Sequence, residues 1–299
     1  MTKCAEVVVT YNRKALLQEN LTALLGQTFD DHDILVIDNA STDGTREMVQ
    51  SMADPRIKYH NTGKNLGGAG GFAYGMRVAL EDGYRYAWLM DDDSVPEPDA
   101  LESLVRKAEM LGDGFSFLAS LVCWTDGNLF PMNFPRLDHE QVIHTPTKYA
   151  KEQHLLPIGV SSFVGCFVDL KVARKVGLPI ADFFIYADDV EYTHRLRREK
   201  PAYLDMDSLI VHKAPSNIGA DIAKADVKRI DRFYYQSRNG MYDARKSKAV
   251  LKRFWVVAKR YGAILRHAPD HKLKRMWVLT KGTVAGLFYS PKIEYVDPH

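Results

Sequence analysis

An apolar, aromatic-rich run that ends in three consecutive aspartates constrains this chain more than any other stretch. Residues 84–90 read YRYAWLM, and Asp91, Asp92 and Asp93 follow directly. A glycine precedes the run and a proline lies just beyond the acids, so the apolar segment is interpreted as a buried strand rather than a helix. Three carboxylates at the end of a strand repel one another, and burial makes their charges more costly. The fold therefore has to neutralise these acids.

A divalent cation bound by the acidic triplet would relieve this repulsion, and Mg²⁺ or Mn²⁺ suits hard carboxylate oxygens. Side chains alternate between the two faces of an extended segment. We therefore expect Asp91 and Asp93 to face a metal ion, and Asp92 to point the other way and hydrogen-bond a sugar hydroxyl. The alternative is a solvated acidic turn, because acidic residues are common in turns.

The segments before the acidic triplet alternate between predicted strands and predicted helices. Apolar runs bounded by turn residues predict strands at residues 6–10, 34–37 and 57–59. Leucines at helical spacing predict a helix over residues 14–26, and capping residues at 41–43 predict a second helix. Such alternation indicates an α/β fold with a mostly parallel sheet covered by helices on both faces.

Polar residues stand at the predicted ends of three strands. Thr10, Asp38 and Asp91 each come at the end of an apolar run. Ligands of a parallel α/β sheet bind at the carboxyl ends of its strands. This convergence favours a functional acidic triplet over a solvated turn.

A glycine-rich segment, residues 65–72 (NLGGAGGF), lies between the third strand and the acidic strand, and a helix to about residue 80 should follow it. Its spacing differs from the dinucleotide-binding fingerprint, and it lacks the Lys-Ser/Thr pair of a phosphate-binding loop. Glycines allow either close approach of the backbone to a ligand or tight packing of a helix. The ligand interpretation is favoured because the segment leads into the acidic strand, and it makes Asn65, Gly67 and Gly68 candidate contacts.

The chain after the triplet predicts further regular elements and one long excursion. A helix is predicted over residues 97–111, a strand over 115–124 and a hairpin turn at 126–128. Residues 130–156 show no regular pattern, so we expect an irregular loop near the site, of the kind that is often functional. A strand pair or a bend is expected at residues 161–168.

A second acidic site is predicted where an aromatic-rich run, residues 183–186, leads to Asp188 and Asp189. A helix from about residue 191 follows, so one of these acids can simply be its N-terminal cap. The other would then be free to act as a general base. His212 ends the next predicted strand, and it is either a structural hydrogen-bonding residue or a nitrogen ligand of the proposed cation.

Composition excludes several classes of protein. The 299 residues carry a formal net charge of +2, so no global basic field indicates nucleic-acid binding. The three cysteines are odd in number and widely separated, which predicts reduced thiols in a cytoplasmic protein rather than a disulfide framework or a zinc site. The sequence shows no run of about 20 apolar residues that would predict a membrane span.

The composition changes near residue 218, and the chain is divided there into an α/β domain, residues 1–217, and a C-terminal region, residues 218–299. Lys, Arg and aromatic residues accumulate in the second part with few acids between them, and helices are predicted over residues 250–265 and 273–287. Basic amphipathic helices with aromatic residues can lie on an anionic membrane surface, here the inner face of the cell membrane. They can equally pack on the α/β domain with their charges in solvent, and both alternatives stay open.

Taken in order, five motifs resemble those of inverting family 2 glycosyltransferases of the GT-A fold. The motifs are VVVTYN (7–12), VIDNASTDGT (36–45), NLGGAGGF (65–72), MDDD (90–93) and DDVE (188–191). The likeness is greatest to the branch that contains galactofuranosyltransferases and rhamnosyltransferases, and it covers about residues 5–215. It implies a Rossmann-like, mostly parallel sheet flanked by helices, to which the C-terminal helices would be an extension.

The resemblance implies a role for each candidate residue. Thr10 and Asp38 would contact the nucleotide base, and Asp92 would contact the ribose or the sugar. Asp91, Asp93 and His212 would bind the metal ion. Asp189 would be the catalytic base, with Asp188 as its neighbour. The Gln-x-x-Arg-Trp motif of processive family members is replaced by residues 236–239 (QSRN), which match it only loosely. A processive synthase is therefore not expected.

The implied reaction is a metal-dependent, inverting transfer of a sugar from a nucleotide donor to a hydroxyl of a glycan or a lipid-linked glycan. The donor implied is UDP-galactofuranose, with dTDP-rhamnose as the alternative. A nucleotidyltransferase also uses metal-bound acids beside a parallel sheet, but it usually has a basic phosphate-binding loop after the first strand. A glycan-binding module that has kept the fold is a third alternative, and the intact acids at positions 91, 93 and 189 count against it.

Overall fold

Ten β-strands form the centre of the protein in a computed structural model that describes residues 4–216 and 219–297. In chain order these strands are β1 Cys4–Thr10, β2 His32–Asp38, β3 Ile57–Asn61, β4 Tyr86–Asp91, β5 Ser94–Pro96, β6 Phe117–Trp124, β7 Arg136–Leu137, β8 Leu155–Val160, β9 Cys166–Asp169 and β10 Ala202–His212. They form one mixed sheet in the order β3-β2-β1-β4-β9-β6-β10-β8-β7, with β5 paired to β10 beside this path.

Helices cover both faces of this sheet and form the C-terminal region. They are α1 Lys14–Leu25, α2 Thr45–Ser51, α3 Gly67–Glu81, α4 Ala100–Leu111, α5 His139–His144, α6 Thr147–Lys151, α7 Leu170–Val176, α8 Asp188–Glu199, α9 Phe233–Lys246, α10 Val250–His267 and α11 Lys272–Phe288, with 3₁₀ turns at Ala181–Phe183 and Val227–Arg232. Among the described residues, no helix is both long and apolar enough to cross a membrane.

The direction of the strands agrees with the predicted, mostly parallel sheet in two blocks. In the first block, the pairs β1–β2, β1–β4 and β2–β3 are parallel. In the second block, β10 runs parallel to β6. Strand β9, from the segment predicted as a strand pair or bend, lies between these blocks and runs antiparallel to β4 and β6. An apolar run predicts that a strand is buried but not which way it runs, so the inserted strand could not be foreseen.

The core around the sheet consists of two apolar layers, one on each face. Helices α3, α7 and α8 pack on one face, and α1, α2 and α4 pack on the other. Along β1, Val7 belongs to the first layer and Val8 to the second, as the alternation of side chains on a strand requires. A strand buried on both faces needs an unbroken apolar run, which is why the first and second strands could be recognised in the sequence.

Residues 130–156 differ from the irregular loop that we predicted. They form the two-residue strand β7, the helices α5 and α6 and the start of β8. Asp138 caps α5 by accepting a hydrogen bond from the backbone N–H of Gln141. The prediction failed because short helices defined mainly by a cap and by contacts carry no full turn of apolar periodicity.

The C-terminal region contains the two predicted helices, α10 and α11, and a third, α9, that was not predicted. Helix α11 packs closely along α9 because of two glycines: a Cβ on Gly282 would lie 2.4 Å from the carbonyl oxygen of Tyr234, and one on Gly286 would lie 2.5 Å from that of Arg238. The chain then returns to the sheet, where Val296 is buried in the core. The predicted domain boundary falls on residues 217 and 218, which lie outside the described residues, and it stays a prediction.

Candidate active site

The candidate site lies at the edge of the sheet where three parallel strands end. The register places Thr10 of β1 opposite Asp38 of β2, and Val9 opposite Asp91 of β4. The carboxyl ends of these strands therefore present their polar residues side by side, at the position where parallel α/β sheets bind ligands.

A possible metal-binding group is formed by Asp91, Asp93 and His212. One ligand atom from each of the three side chains lies within 4.8 Å of the other two. Pairing of β5 with β10 brings them together, because it sets His212 opposite Ser94, the residue after the triplet. The alternation argument was wrong in its geometry: β4 ends at Asp91, and the next two acids lie in a turn rather than on an extended strand.

The orientation of His212 is held from both sides of its ring. Asn133 donates a hydrogen bond to Ser162 through its amide nitrogen (2.9 Å), so its oxygen faces His212 Nδ1, 2.8 Å away, and accepts the proton there. His212 Nε2 lies 3.0 Å from Asp93 Oδ1. Two lone pairs do not face each other at this distance, so either a proton lies between the two atoms or both atoms bind the same cation. A histidine ligand whose other ring nitrogen donates to an oxygen is the usual arrangement in metal sites.

Asp92 is held apart from the other two acids. Thr10 donates its hydroxyl proton to Asp92 Oδ2 at 2.7 Å, and Arg13 Nη1 lies 3.2 Å from Asp92 Oδ1. The same guanidinium nitrogen donates to Asp93 Oδ2 at 2.6 Å. Arg13 thus supplies one positive charge to two carboxylates, and sequence reasoning had given it no role at the triplet.

The pKa values of the triplet show that its negative charge is incompletely compensated. Burial, together with the neighbouring charge of Asp93, raises the pKa of Asp91 to about 7. Burial raises the pKa of Asp92 to about 6 in spite of Arg13. For Asp93, burial is outweighed by the hydrogen bond and charge of His212 and by Arg13, so its pKa is lowered. A group of this composition favours an additional cation.

Asp38 is fully buried, and its carboxylate is engaged within the protein. It accepts hydrogen bonds from the hydroxyl of Tyr59 at 2.5 Å and from the backbone N–H of Ser41 at 2.8 Å. These bonds fix the turn that follows β2. A contact between Asp38 and a nucleotide base stays a prediction.

The glycine-rich segment opens α3, and packing explains part of it. Gly67 has a φ of +73°, and a Cβ there would lie 2.1 Å from the carbonyl oxygen of Phe184. A Cβ on Gly71 would lie 2.5 Å from Val9, whereas one on Gly68 would meet nothing within 4 Å. Asn65 accepts a hydrogen bond from the N–H of Gly67 at 2.8 Å. Tight packing, the alternative that we favoured less, thus accounts for Gly67, and donor contacts by Asn65, Gly67 and Gly68 stay a prediction.

Asp188 and Asp189 form the first turn of α8, which begins three residues earlier than predicted. The N-cap residue is Ala187, with a φ of 65°, so neither acid is the cap that the alternative interpretation required. Asp189 Oδ1 accepts a hydrogen bond from the N–H of Val190 at 2.7 Å. The helix N-terminus favours negative charge at these positions.

The two acids of this pair differ in their tendency to ionise. Burial, with added repulsion from Asp189 and Asp91, raises the pKa of Asp188 to about 8. Burial raises the pKa of Asp189 only to about 6, because backbone N–H groups and the charge of Arg136 oppose it. The backbone N–H groups and Arg136 thus favour the ionised form at Asp189 over Asp188, which makes Asp189 the better candidate to accept a proton.

Asn239 of α9 is a site residue that sequence reasoning missed. Its buried amide nitrogen donates to the carbonyl oxygens of Phe183, Ile185 and Tyr186, at 3.0, 3.1 and 2.9 Å. These residues belong to the segment that presents the acid pair. The only signal in the sequence was the loose match of residues 236–239 to the Gln-x-x-Arg-Trp motif. Asn133, in the segment predicted to be irregular, had no signal at all.

A cavity of about 270 Å³ is lined in part by Tyr186, two residues before Asp188 in the chain. Its polar lining includes Asp221, Lys224 and Arg229, and Phe233 contributes an aromatic ring. Aromatic rings combined with hydrogen-bonding side chains suit a sugar, which has both apolar and polar faces.

Comparisons with known proteins agree with this geometry. Residues 7–171, more than half of the chain, match the protein family described as Glycosyl transferase family 2. Galactofuranosyltransferase GlfT1 of Mycolicibacterium smegmatis is 34% identical over 203 residues, which cover 65% of this chain and 65% of that protein. GlfT1 of Mycobacterium tuberculosis is 31% identical over 218 residues, which cover 71% of this chain and 70% of that protein. The matched part thus spans about two thirds of the length of these relatives.

Among solved structures, S. aureus TarS, residues 1–349, in complex with UDP has a similar fold. The TM-score is 0.55 at 15% sequence identity, and the match covers 96% of this chain and 72% of that chain. At this identity the likeness shows the fold alone. The architecture is of the GT-A type, with a mostly parallel sheet flanked by helices and with further helices at the C-terminus, as the sequence predicted.

Proposed function

The chain belongs to glycosyl transferase family 2, and on that premise we propose that it transfers galactofuranose from UDP-galactofuranose to a hydroxyl of a growing cell-surface glycan. The transfer inverts the anomeric centre and depends on Mn²⁺ or Mg²⁺. Two galactofuranosyltransferases that match over about two thirds of their length support this choice of sugar.

The observation that carries the proposal is the convergence of Asp91, Asp93 and His212 at the edge of the sheet where the parallel strands end. Asp91 and Asp188 belong to different elements, β4 and α8, yet the charge of Asp91 contributes, after burial and the charge of Asp189, to the raised pKa of Asp188. This interaction supports placing the proposed cation and the proposed general base at one site. A sugar transfer needs both on either side of the anomeric carbon.

The residues present fit a divalent cation. Two carboxylates and one imidazole nitrogen converge, Asn133 orients the imidazole, and burial together with the neighbouring charge of Asp93 raises the pKa of Asp91. Asp91, Asp93 and His212 would hold the ion. When bound, Mn²⁺ or Mg²⁺ supplies Lewis-acid stabilisation of the charge that grows on the leaving diphosphate.

The reaction assigns separate tasks to the remaining side chains. Asp189 accepts the proton of the acceptor hydroxyl while the oxygen of that hydroxyl forms a bond to the anomeric carbon. On the opposite face, the bond from that carbon to the diphosphate oxygen breaks, and UDP leaves with the electron pair. Burial and repulsion from Asp189 raise the pKa of Asp188, which disfavours a second charge beside the base. Thr10, Asp38 and Asp92, with the segment from Asn65 to Gly68, hold the donor.

Donor release measures this activity directly. The protein is incubated with UDP-galactofuranose or with dTDP-rhamnose, with and without Mn²⁺, and free nucleotide diphosphate is quantified. We expect release of UDP in the presence of Mn²⁺, loss of release in excess chelator and recovery on adding Mn²⁺ or Mg²⁺. Release of dTDP alone would replace the sugar in the proposal, and full activity in chelator would remove the metal ion from it.

The base is tested by Asp189→Asn, which keeps the size of the side chain and removes its basicity. Transfer should fall about 10²- to 10⁴-fold, while UDP binding in the presence of Mn²⁺, measured by calorimetry, should be unchanged. Asp31→Asn is the matched control and should transfer normally, because Asp31 is exposed and precedes β2, at the end of that strand opposite to Asp38. Undiminished transfer by Asp189→Asn would assign the base elsewhere.

A further inference from the structure

The charge of the protein is distributed unevenly, and its last two helices carry most of the imbalance. Residues 250–288 contain nine Lys and Arg but one acid, Asp270, whereas the whole chain has 40 Lys and Arg against 38 Asp and Glu. The rest of the chain is therefore net acidic. We propose that the outer face of the α10–α11 hairpin binds the surface of an anionic lipid bilayer, with its aromatic residues inserted between the headgroups.

Helix α10 exposes an apolar stripe flanked by cations. Five apolar side chains recur at intervals of three, four or seven residues, which places them on one side of a helix: Leu251, Phe254, Trp255, Ala258 and Leu265. Lys252, Lys259 and Arg266 recur every seven residues along the border of this stripe. The opposite side, with Val257 and Ile264, is buried against the remainder of the C-terminal region.

Helix α11 repeats this pattern. Leu273, Trp277, Val284 and Phe288 are exposed at intervals of four and seven residues, and Lys281 borders them. The helix is buried on its other side by α9, where the two close-packed glycines lie. Exposure of the largest apolar side chains is unusually high: 86% for Leu251, 83% for Leu273, 82% for Phe288, 64% for Trp277 and 61% for Trp255.

Contacts between the two helices place the exposed stripes next to each other. Tyr261 of α10 hydrogen-bonds Thr280 of α11, and Lys272 donates to the carbonyl oxygen of Leu265 at 2.9 Å. On α10, Tyr261 lies between the buried side of the helix and its apolar stripe. Thr280 likewise lies between the buried side of α11 and the apolar stripe of that helix. Both stripes therefore border the seam between the helices, on the side away from α9, and form one surface with lysines at its outer edges.

The chemistry of this surface fits a lipid bilayer better than another macromolecule. Tryptophan and phenylalanine with flanking Lys and Arg are typical of helices that lie in the interfacial plane of a membrane. Lys259 Nζ lies 3.5 Å from the ring centroid of Trp255, so cation and aromatic ring form one unit. Nucleic acid would be bound by the cations but not by exposed Leu251, Leu273 and Phe288. An acidic protein surface would pair with the cations but not with the long apolar stripe, whereas lipid headgroups and acyl chains match both.

Vesicle flotation of the whole chain tests the proposal without reference to its activity. We expect the protein to float with vesicles of phosphatidylcholine and phosphatidylglycerol, to float much less with phosphatidylcholine alone, and to be released by salt. Protein that stays at the bottom of the gradient with anionic vesicles at low salt would overturn the proposal.

Two pairs of variants separate the aromatic and the electrostatic contributions. Trp255→Ser with Trp277→Ser should lower partitioning roughly tenfold or more, while Leu129→Ser with Ile143→Ser, which removes exposed apolar side chains elsewhere, should float normally. Lys252→Gln with Lys259→Gln should lower partitioning about 30-fold. The control is Lys148→Gln with Lys151→Gln, at exposed lysines outside the hairpin.

Circular dichroism and thermal melting show whether each variant is folded, and the lysine pair provides the test if the tryptophan pair is not. Equal flotation of a hairpin variant and its control would contradict the proposal. If wild type forms dimers without lipid and the tryptophan pair is monomeric by sedimentation, the surface is an interface between two copies of the chain, and the membrane assignment is wrong.

Discussion

Replacement of Asn239 by aspartate should reduce catalysis without touching the metal group. The wild-type amide donates to three backbone carbonyls in the segment before the acid pair. Three residues of that segment, Phe184, Tyr186 and Ala187, have φ values of 62°, 69° and 65°, in the left-handed region that non-glycine residues disfavour. Aspartate has the same shape but offers only oxygen atoms, so it would face the three carbonyls with a negative charge.

The size of the effect follows from a balance between strain and hydrogen bonding. Each left-handed residue costs about 1–2 kcal/mol, and each neutral hydrogen bond contributes about 1 kcal/mol. The two amide protons therefore supply about 2 kcal/mol that holds the strained segment. Loss of 2–3 kcal/mol of positioning would lower kcat roughly 30- to 150-fold, at 1.36 kcal/mol per factor of ten.

The assay compares kcat for sugar transfer with the affinity for Mn²⁺, measured by calorimetry. Asn239→Asp should lower kcat and leave Mn²⁺ binding unchanged, because Asn239 has no contact with Asp91, Asp93 or His212 among the hydrogen bonds of the described residues. Asn128→Asp, in the exposed hairpin turn after β6, is the matched control. An Asn239→Asp enzyme with the kcat of wild type would show that the segment keeps its conformation without the amide, and the reasoning would be refuted.

Two further predictions concern the glycine-rich segment and pH. Gly67→Ala should displace the segment at Phe184 and lower the melting temperature, because φ is positive and the new Cβ would lie 2.1 Å from the carbonyl oxygen of Phe184. Gly68→Ala should leave the melting temperature unchanged or raise the stability by up to about 1 kcal/mol. Equal melting temperatures of the two variants would contradict the packing explanation. The rate of transfer should rise with pH through about 6 and then level off, since Asp189, whose pKa is raised to about 6, accepts a proton only when ionised. A rate that falls as pH rises across this range would exclude Asp189 as the base.

The sequence by itself determined the elements that local patterns specify. Apolar runs predicted the buried strands β1, β2 and β4, and helical spacing of leucines predicted α1, because a strand or helix between two layers leaves its period in the chain. Polar residues at the ends of these runs also located the edge of the sheet that carries the acids. The order of the motifs, rather than any one of them, led to the family.

Tertiary structure decided which of these residues meet. His212 and Asp93 are 119 residues apart and lie 3.0 Å from each other only because β5 pairs with β10. Asn133 and Asn239 orient the histidine and the acid pair from segments whose sequence shows no such role. Local periodicity reports whether a residue is buried, whereas strand pairing and helix packing depend on contacts across the whole chain, so the partners of each catalytic candidate could be identified only in the folded protein.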